Sequence, residues 1–374
     1  MKENRKKRKK SKWLHCAAKA YERLDFVELE TQCHELVFAT ACPTPQDRLY
    51  AHCFLAQSAM HLGHSDEAVR WLLKAKEEIN QHKELLATYF YQEATLAHQR
   101  AHYQEALFAI ENARKTLSKS KDARLETKIR KEKILILANY GDMPKAQALC
   151  ERLGDEEALT KGRVAFIKKE YENSLALFAR AEELADNESA HIKVKEEKAA
   201  VLACLARIEE AVELLDECLL MRRDFNGEGS AANHIPIFKK GQLLTKVRAY
   251  TDAEQAFEVC FDILVNHCLP THPWMLALAF ERSLCTYLSG QPRSALQELV
   301  KTLDGLKTIY GYEHPLVVRV LITIAKVQLS LGNGHKALPA AKDAHDAACS
   351  FLLPNHDMVA KSKELLVQCE EQLI

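Results

Sequence analysis

The stretch AEQAFEVC at residues 253–260 decides the fold that the sequence predicts. A small residue, Ala253, is followed four positions later by Phe257 and seven positions later by Cys260. On an α-helix these three positions lie on one face, about one turn apart. A small residue at the start of this face lets a preceding helix approach closely, and the aromatic ring fills the space beyond it. We therefore interpret the stretch as the second helix of a helical hairpin.

The same pattern recurs along most of the chain. Related stretches read ALFAIENA at 106–113 and SLALFARA at 174–181. Each follows a Gly-containing or polar turn and begins with a small residue, here called the marker. The eight markers are Ala68, Ala106, Ala146, Ser174, Ala211, Ala253, Ala295 and Ala337. The last four are 42 residues apart, whereas the earlier intervals vary from 28 to 40. Because one hairpin cannot bury both of its faces, we expect neighbouring hairpins to stack.

This pattern resembles the tetratricopeptide repeat, and the 42-residue units with a His-Pro step resemble those of kinesin light chains. The resemblance implies an all-α, right-handed superhelical solenoid of about eight to nine helix-turn-helix repeats with a C-terminal capping helix. The expected segments are a disordered basic tail, a degenerate N-terminal hairpin, irregular repeats, regular 42-residue repeats and the capping helix. They span 1–12, 13–47, 48–190, 191–356 and 357–374, respectively.

Composition agrees with a helical protein inside the cell. Only 12 Gly and 10 Pro occur among 374 residues, which is too few turn residues for a β-rich fold. No apolar run approaches the length of a membrane span, and no secretory signal is visible. The twelve cysteines are scattered without a C-x-x-C pair, so we interpret them as reduced and structural. The expected location is the cytoplasm, with nuclear entry left open.

Three histidines keep the 42-residue spacing of the markers. They are His272, His314 and His356, and the first two precede Pro273 and Pro315. Pro suits the first position of a helix, so His272 and His314 are predicted to cap helix N-termini. Asp357 is expected to act similarly at the third start, as an acid near the positive end of the helix dipole.

Catalysis and metal binding are not predicted. Equivalent His residues in neighbouring repeats are too far apart to share a zinc ion, whose bonds are about 2 Å long. Phosphate-loop, dinucleotide, nucleophile-elbow and zinc-protease motifs are all missing from the sequence. We therefore expect no cofactor and no enzymatic activity.

The first twelve residues form the strongest charge feature of the sequence. They hold eight Lys or Arg and one acid, whereas the remaining chain holds 44 basic and 51 acidic residues. Three interpretations stay open, namely a localisation signal read by an importin, a contact with RNA or another anion, and a solubilising tail. The basic side chains concerned are Arg5, Lys6, Lys7, Arg8, Lys9 and Lys10.

The resemblance implies that the first helices of the hairpins line a concave groove. The chain offers aromatic and cationic side chains there, which suit an extended peptide with acidic and apolar residues. Candidate groove residues are Tyr91, Lys128, Lys131, Arg163, Phe238, Gln242, Lys246, Phe280, Arg319 and Lys326. The predicted function is a non-enzymatic scaffold or adaptor that binds a protein or peptide segment. Two alternatives are a nucleolar or ribonucleoprotein assembly factor that uses the basic tail on RNA, and a ligand-responsive regulator.

Overall fold

A computed structural model describes residues 16–21, 23, 25–38, 44–80, 82, 85–117 and 122–373. Within these residues every regular element is a helix. Residues 16–21 form α1. The longer helices are α2 (Phe26–Phe38), α3 (Pro45–His61), α4 (Ser65–Asn80), α5 (Leu86–Gln99), α6 (Tyr103–Leu117), α7 (Ala123–Tyr140), α8 (Met143–Cys150), α9 (Ala158–Ile167), α10 (Tyr171–Glu183), α11 (Glu188–Cys204), α12 (Ile208–Asn226), α13 (His234–Lys246), α14 (Tyr250–Val265), α15 (Pro273–Leu288), α16 (Pro292–Tyr310), α17 (Pro315–Ser330), α18 (Gly334–Phe351) and α19 (Asp357–Glu371).

The sixteen helices from α3 to α18 form eight hairpins, each with an odd-numbered first helix and an even-numbered second helix. The all-α repeat fold predicted from the sequence is thereby confirmed. All eight markers lie near the start of a second helix, and none is more than 1% exposed. At this position a larger side chain would separate the paired helices, because protein interiors are close-packed. None of the described helices is both long and apolar enough to cross a membrane.

Residues within a hairpin match in size. The first-helix residue twelve positions before the marker packs against the second-helix residue four positions after the marker. Gly162 packs on Phe178, and a Cβ added at Gly162 would lie 2.6 Å from the ring. Gly241 packs on Phe257 in the same way, at 2.5 Å. The absence of a side chain on one helix therefore makes room for a buried aromatic ring on the next.

Each hairpin turns through one residue with left-handed backbone, five positions before its marker. Four turns use glycine, namely Gly63, Gly141, Gly290 and Gly332. The other four use Ala101, Lys169, Ala206 and Arg248, with φ between 60° and 64°. In seven turns the next N–H donates to a carbonyl five residues back, as from Asn333 to Gln328 at 2.9 Å. This bond is the signature of a helix C-terminal cap that needs a left-handed residue.

The chain divides into two compact units. The N-terminal unit takes in the described residues up to Gln99, with Gln104–Lys133 and Ser230–Ala232. The C-terminal unit takes in Arg100–Tyr103, Ile134–Gly229 and the described residues from Asn233 onwards.

Within the C-terminal unit the last inter-helix loop returns to the turn between α7 and α8. The backbone N–H of Leu353 donates to the carbonyl of Tyr140 at 3.1 Å, and the Asn355 side-chain amide donates to the carbonyl of Gly141 at 3.2 Å. A Cβ at Gly141 would lie 3.3 Å from the Cβ of His356, in a backbone with φ of +103°. The unit is therefore closed on itself by contacts between residues more than 200 positions apart.

Candidate binding surface

The first helices of consecutive hairpins are joined by a recurring side-chain contact, here called the first-helix ladder. The donor lies eleven positions before its marker, and the acceptor lies fourteen positions before the next marker. Among the described residues, three contacts are of this kind: Gln57 Nε2 to Gln92 Oε1 at 2.7 Å, Arg163 Nη2 to Glu197 Oε1 at 2.9 Å, and Gln242 Nε2 to Glu281 Oε1 at 2.8 Å. The repeat register thus fixes which polar groups meet across the hairpin interface.

In the N-terminal unit a histidine extends the ladder. Nδ1 of His98 lies 2.7 Å from Oε1 of Glu132, which occupies the acceptor position of its hairpin. Both side chains are 15% exposed, so the pair is shielded from most of the solvent. Tyr91, a predicted groove residue on α5, is half-buried, and burial together with the charge of Glu132 raises its pKa to about 12. Its phenol is therefore neutral at physiological pH.

A buried charge cluster lies beside the ladder in the C-terminal unit. Oε1 of Glu196 on α11 accepts a hydrogen bond from Nε of Arg222 on α12 at 2.6 Å. The other carboxylate oxygen lies 3.5 Å from Nζ of Lys239 on α13. Glu196 and Arg222 are 4% and 5% exposed. Paired charges this deeply buried fix the three helices relative to one another, because separating them would leave an unpaired charge in a dry environment.

Two of the predicted groove residues, Gln242 and Arg319, converge on the carboxylate of Glu281, which the sequence did not predict as a site residue. Oε1 of Glu281 accepts from Nε2 of Gln242 at 2.8 Å and from Nη2 of Arg319 at 2.9 Å. The Arg319 guanidinium carbon also lies 4.8 Å from the ring centre of Phe280. Phe280 is only 1% exposed, so its ring belongs to the core and does not face solvent. A Glu recurs fourteen positions before the marker in three hairpins, at Glu132, Glu197 and Glu281. This recurrence is the sequence signal that could have revealed Glu281.

The remaining candidates of the C-terminal unit are accessible. Phe238, Gln242 and Lys246 follow one another at four-residue spacing along one face of α13. Phe238 is half-buried against Phe257, with ring centres 6.2 Å apart. Lys246 and Lys326 are exposed, and no carboxylate of the described residues lies within ion-pair distance of either ammonium. We call this surface, formed by Phe238, Gln242, Lys246, Arg319 and Lys326, the C-terminal wall.

The predicted cations of α7 belong to the N-terminal unit. Lys128 is exposed and Lys131 is half-buried. The basic tail, with Arg5 to Lys10, lies outside the residues that the structure describes.

The three spaced histidines lie at helix N-termini. In each case Nδ1 accepts a hydrogen bond from the backbone N–H two residues on, at Trp274, Leu316 and Met358, over 3.1, 3.2 and 3.1 Å. Pro273 and Pro315 are the first helical residues after His272 and His314.

At the third helix start the capping residue is His356 itself, and burial lowers the pKa of its imidazole. Asp357 is the first helical residue, and its Oδ1 lies 3.1 Å from Nζ of Lys169. The contacts with Lys361 and Lys169 keep the pKa of this carboxyl below its usual value. Asp357 thus stabilises the closure of the C-terminal unit rather than accepting the capping hydrogen bond.

Among the described residues, no three His, Cys, Asp or Glu side chains are grouped closely enough to hold a metal ion. The polar groups on the first helices are donors and acceptors for each other or for a bound chain. They are suited to recognition by charge and hydrogen bonding.

Comparison with solved structures identifies the fold. A Rap protein in complex with Competence and Sporulation Factor matches 98% of this chain and 99% of its own, with a TM-score of 0.51 and 12% identity. The chain has a tetratricopeptide-repeat fold. A tetratricopeptide repeat protein from Parabacteroides merdae covers 76% of this chain and 99% of its own, with 13% identity and a TM-score of 0.48.

A kinesin light chain with TPR-like repeats from Podosopora anserina covers 61% of this chain and 96% of its own, with 15% identity and a TM-score of 0.36. The kinesin-light-chain character of the 42-residue units stays a prediction. No family model matches the sequence, and no curated protein is similar to it.

Proposed function

We propose that this tetratricopeptide-repeat protein is an interaction scaffold whose C-terminal wall binds an extended protein segment with acidic and apolar side chains. The proposal rests on how charge is distributed over the first helices. The acids Glu196, Glu197 and Glu281 are all engaged by Arg, Lys or Gln side chains of the same unit. Lys246 and Lys326 are exposed and have no such partner among the described residues. The charge that remains for a ligand is therefore positive.

Apolar contacts are available next to these cations. Leu284 is half-buried and Leu288 is 44% exposed, and both lie on α15, between α13 with Lys246 and α17 with Lys326. Phe238 on α13 is partly exposed as well. A segment with both acidic and apolar residues at every second position would match these features, since an extended chain places those side chains on one face. Each exposed ion pair contributes only about 0.2–1 kcal/mol, so several contacts must act together.

A selection from a displayed random-peptide library on the full chain tests this proposal. We expect enrichment of acidic peptides, with affinity that falls as salt concentration rises. The variant Lys246→Glu with Lys326→Glu should weaken binding of a selected peptide at least tenfold.

The matched control carries Lys301→Glu and Lys342→Glu on the second helices α16 and α18, and it should bind within about twofold of the wild type. Enrichment of peptides without acidic residues, or equal losses in the two variants, would overturn the proposal.

A further inference from the structure

A thiol and an imidazole lie one turn apart on the exposed side of α18. Sγ of Cys349 lies 3.6 Å from Nε2 and 3.8 Å from Nδ1 of His345. Cys349 is exposed, whereas every other cysteine that the structure describes is buried or half-buried. His345 is half-buried, so its ring is held against the protein beside an open thiol.

A third side chain from the neighbouring helix orients the imidazole. Oγ of Ser362 on α19 donates its proton to the carbonyl of Val359 at 3.0 Å. The same oxygen lies 3.2 Å from Nδ1 of His345, and with its proton already used it accepts a hydrogen bond there. Neutral His345 then carries its proton on Nδ1 and presents the lone pair of Nε2, which lies 3.6 Å from the Cys349 sulfur. Ser362 is fully buried, so packing of α18 on α19 maintains this arrangement.

These three groups have the relationship that activates a nucleophile. A thiol, a base within reach of its proton and a third group that fixes the tautomer of the base recur wherever cysteine acts as a nucleophile. The other cysteines contrast with this arrangement. Cys53, Cys218 and Cys260 lie inside hairpins, and burial raises the pKa of each thiol to about 12. They remain protonated and closed to reagents.

We propose that Cys349, with His345 as its base and Ser362 as a positioning residue, is a modification site that exchanges with small disulfides. Nε2 of His345 removes the thiol proton, and the Cys349 sulfur attacks one sulfur of the disulfide. The disulfide's own S–S bond breaks while a new S–S bond forms to Cys349. The departing thiolate takes the proton back from the imidazolium and leaves as a thiol. No separate oxidant is needed, because the small disulfide is itself reduced in part.

The reaction can be followed on the folded full chain with oxidised glutathione, and the modified residue mapped by mass spectrometry. We expect Cys349 to react first and to take up one glutathione per chain before any other cysteine reacts. The variant His345→Gln should slow this step about tenfold or more, because the base is lost. Ser362→Ala should slow the reaction of Cys349 by a smaller factor. His345→Asn should react as slowly as His345→Gln, because it also lacks the base.

Circular dichroism confirms that each variant is folded, and Cys349→Ser identifies the phase that belongs to this thiol. The half-buried Cys268 serves as a control, since its rate should be the same in the wild type and in both His345 variants. The proposal is overturned if Cys349 reacts at an unchanged rate in folded His345→Gln and folded Ser362→Ala, because the thiol would then be merely exposed. It is also overturned if another cysteine reacts first.

Discussion

The two units connect their first helices with different chemistry around the same acceptor position of the repeat. In the N-terminal unit the links are an amide pair, Gln57 with Gln92, and an imidazole–carboxylate contact, His98 with Glu132. In the C-terminal unit the acceptor carboxylates are bound by guanidinium groups, Arg163 on Glu197 and Arg319 on Glu281, and Glu281 also accepts from the Gln242 amide.

The backbone geometry of the hairpin therefore does not dictate one type of contact. Removing one partner of a neutral hydrogen bond lowers the free energy of unfolding only modestly. Removing one partner of a buried ion pair lowers it more, because an unpaired charge stays buried.

The largest difference between the units should appear when one buried acid is removed. Glu196→Ala leaves Arg222 without its carboxylate in a buried position, and we expect a loss of about 3–5 kcal/mol. Gln92→Ala in the N-terminal unit should lose about 1 kcal/mol. Urea unfolding followed by circular dichroism measures both.

The double variant Glu196→Leu with Arg222→Met is the control for this comparison. It should recover most of the stability, because the buried charges are removed together. Equal losses in the two single variants would show that the buried charge cluster stabilises the C-terminal unit no more than the neutral Gln57–Gln92 contact stabilises the N-terminal unit.

Acid should weaken the N-terminal unit first. Burial lowers the pKa of His52 and of His61 to about 4, below the value of about 6.5 for an unfolded histidine. Between these values the unfolded state binds more protons, so the free energy of unfolding falls as pH decreases from about 6.5 to about 4. Over the interval from pH 7 to pH 5 we expect the two histidines together to lower the free energy of unfolding by about 3–4 kcal/mol.

Trp71, whose ring is stacked on His52 at 5.7 Å, reports this unit, and Trp274 reports the C-terminal unit. We compare two variants, one that keeps only Trp71 and one that keeps only Trp274. The urea midpoint should decrease more between pH 7 and pH 5 when it is measured by Trp71 fluorescence than by Trp274 fluorescence. His52→Gln with His61→Gln should remove the difference. Equal shifts at the two tryptophans in the wild type would contradict the expectation.

The packing inside hairpins offers a third contrast. Gly241 faces Phe257 in the C-terminal unit, whereas the equivalent positions in the N-terminal unit carry Ala94 and Ile110. Gly241→Ala should destabilise by about 1–3 kcal/mol, since the new Cβ would lie 2.5 Å from the ring. Adding Phe257→Leu should restore part of the loss.

Gly229→Ala, where a Cβ meets nothing within 4 Å, is the matched control for thermal unfolding. If Gly241→Ala were as stable as this control, size matching would not determine how closely these helices pack.

The smallest effect concerns the turns. In the part of the chain that the structure describes, the four non-glycine residues with left-handed backbone all belong to the C-terminal unit, namely Ala101, Lys169, Ala206 and Arg248. Arg248→Gly should stabilise by about 1 kcal/mol, because glycine adopts this backbone without a Cβ clash. Gly290→Ala should destabilise by a similar amount. Thermal unfolding measures the change in stability of each variant. A destabilised Arg248→Gly would argue against strain at this turn.

The hairpins could be predicted because the residues that pack together at each marker are close in the sequence. A small residue four positions before a large apolar one needs no distant partner to be interpreted, and Ala253 with Phe257 satisfies the rule in the folded chain. The helix starts at His272 and His314 could be predicted for the same reason, because each cap joins residues only two positions apart.

The ladder could not be predicted with the same certainty, because its partners lie 34 to 39 residues apart and depend on how neighbouring hairpins stack. Gln242 and Arg319 are therefore predicted as groove residues from their repeat positions, whereas their shared partner Glu281 is not predicted. The closure of the C-terminal unit, from Leu353 to Tyr140, joins residues too distant in sequence for any periodic signal.

The proposed use of the C-terminal wall is tested most directly by hydrogen–deuterium exchange of the full chain with and without a selected acidic peptide. Binding to the wall predicts slower exchange in the first helices α13, α15 and α17, with little change in α14, α16 and α18. The protection should disappear in the Lys246→Glu, Lys326→Glu variant. Protection confined to the second helices, or unaffected by these substitutions, would contradict the account.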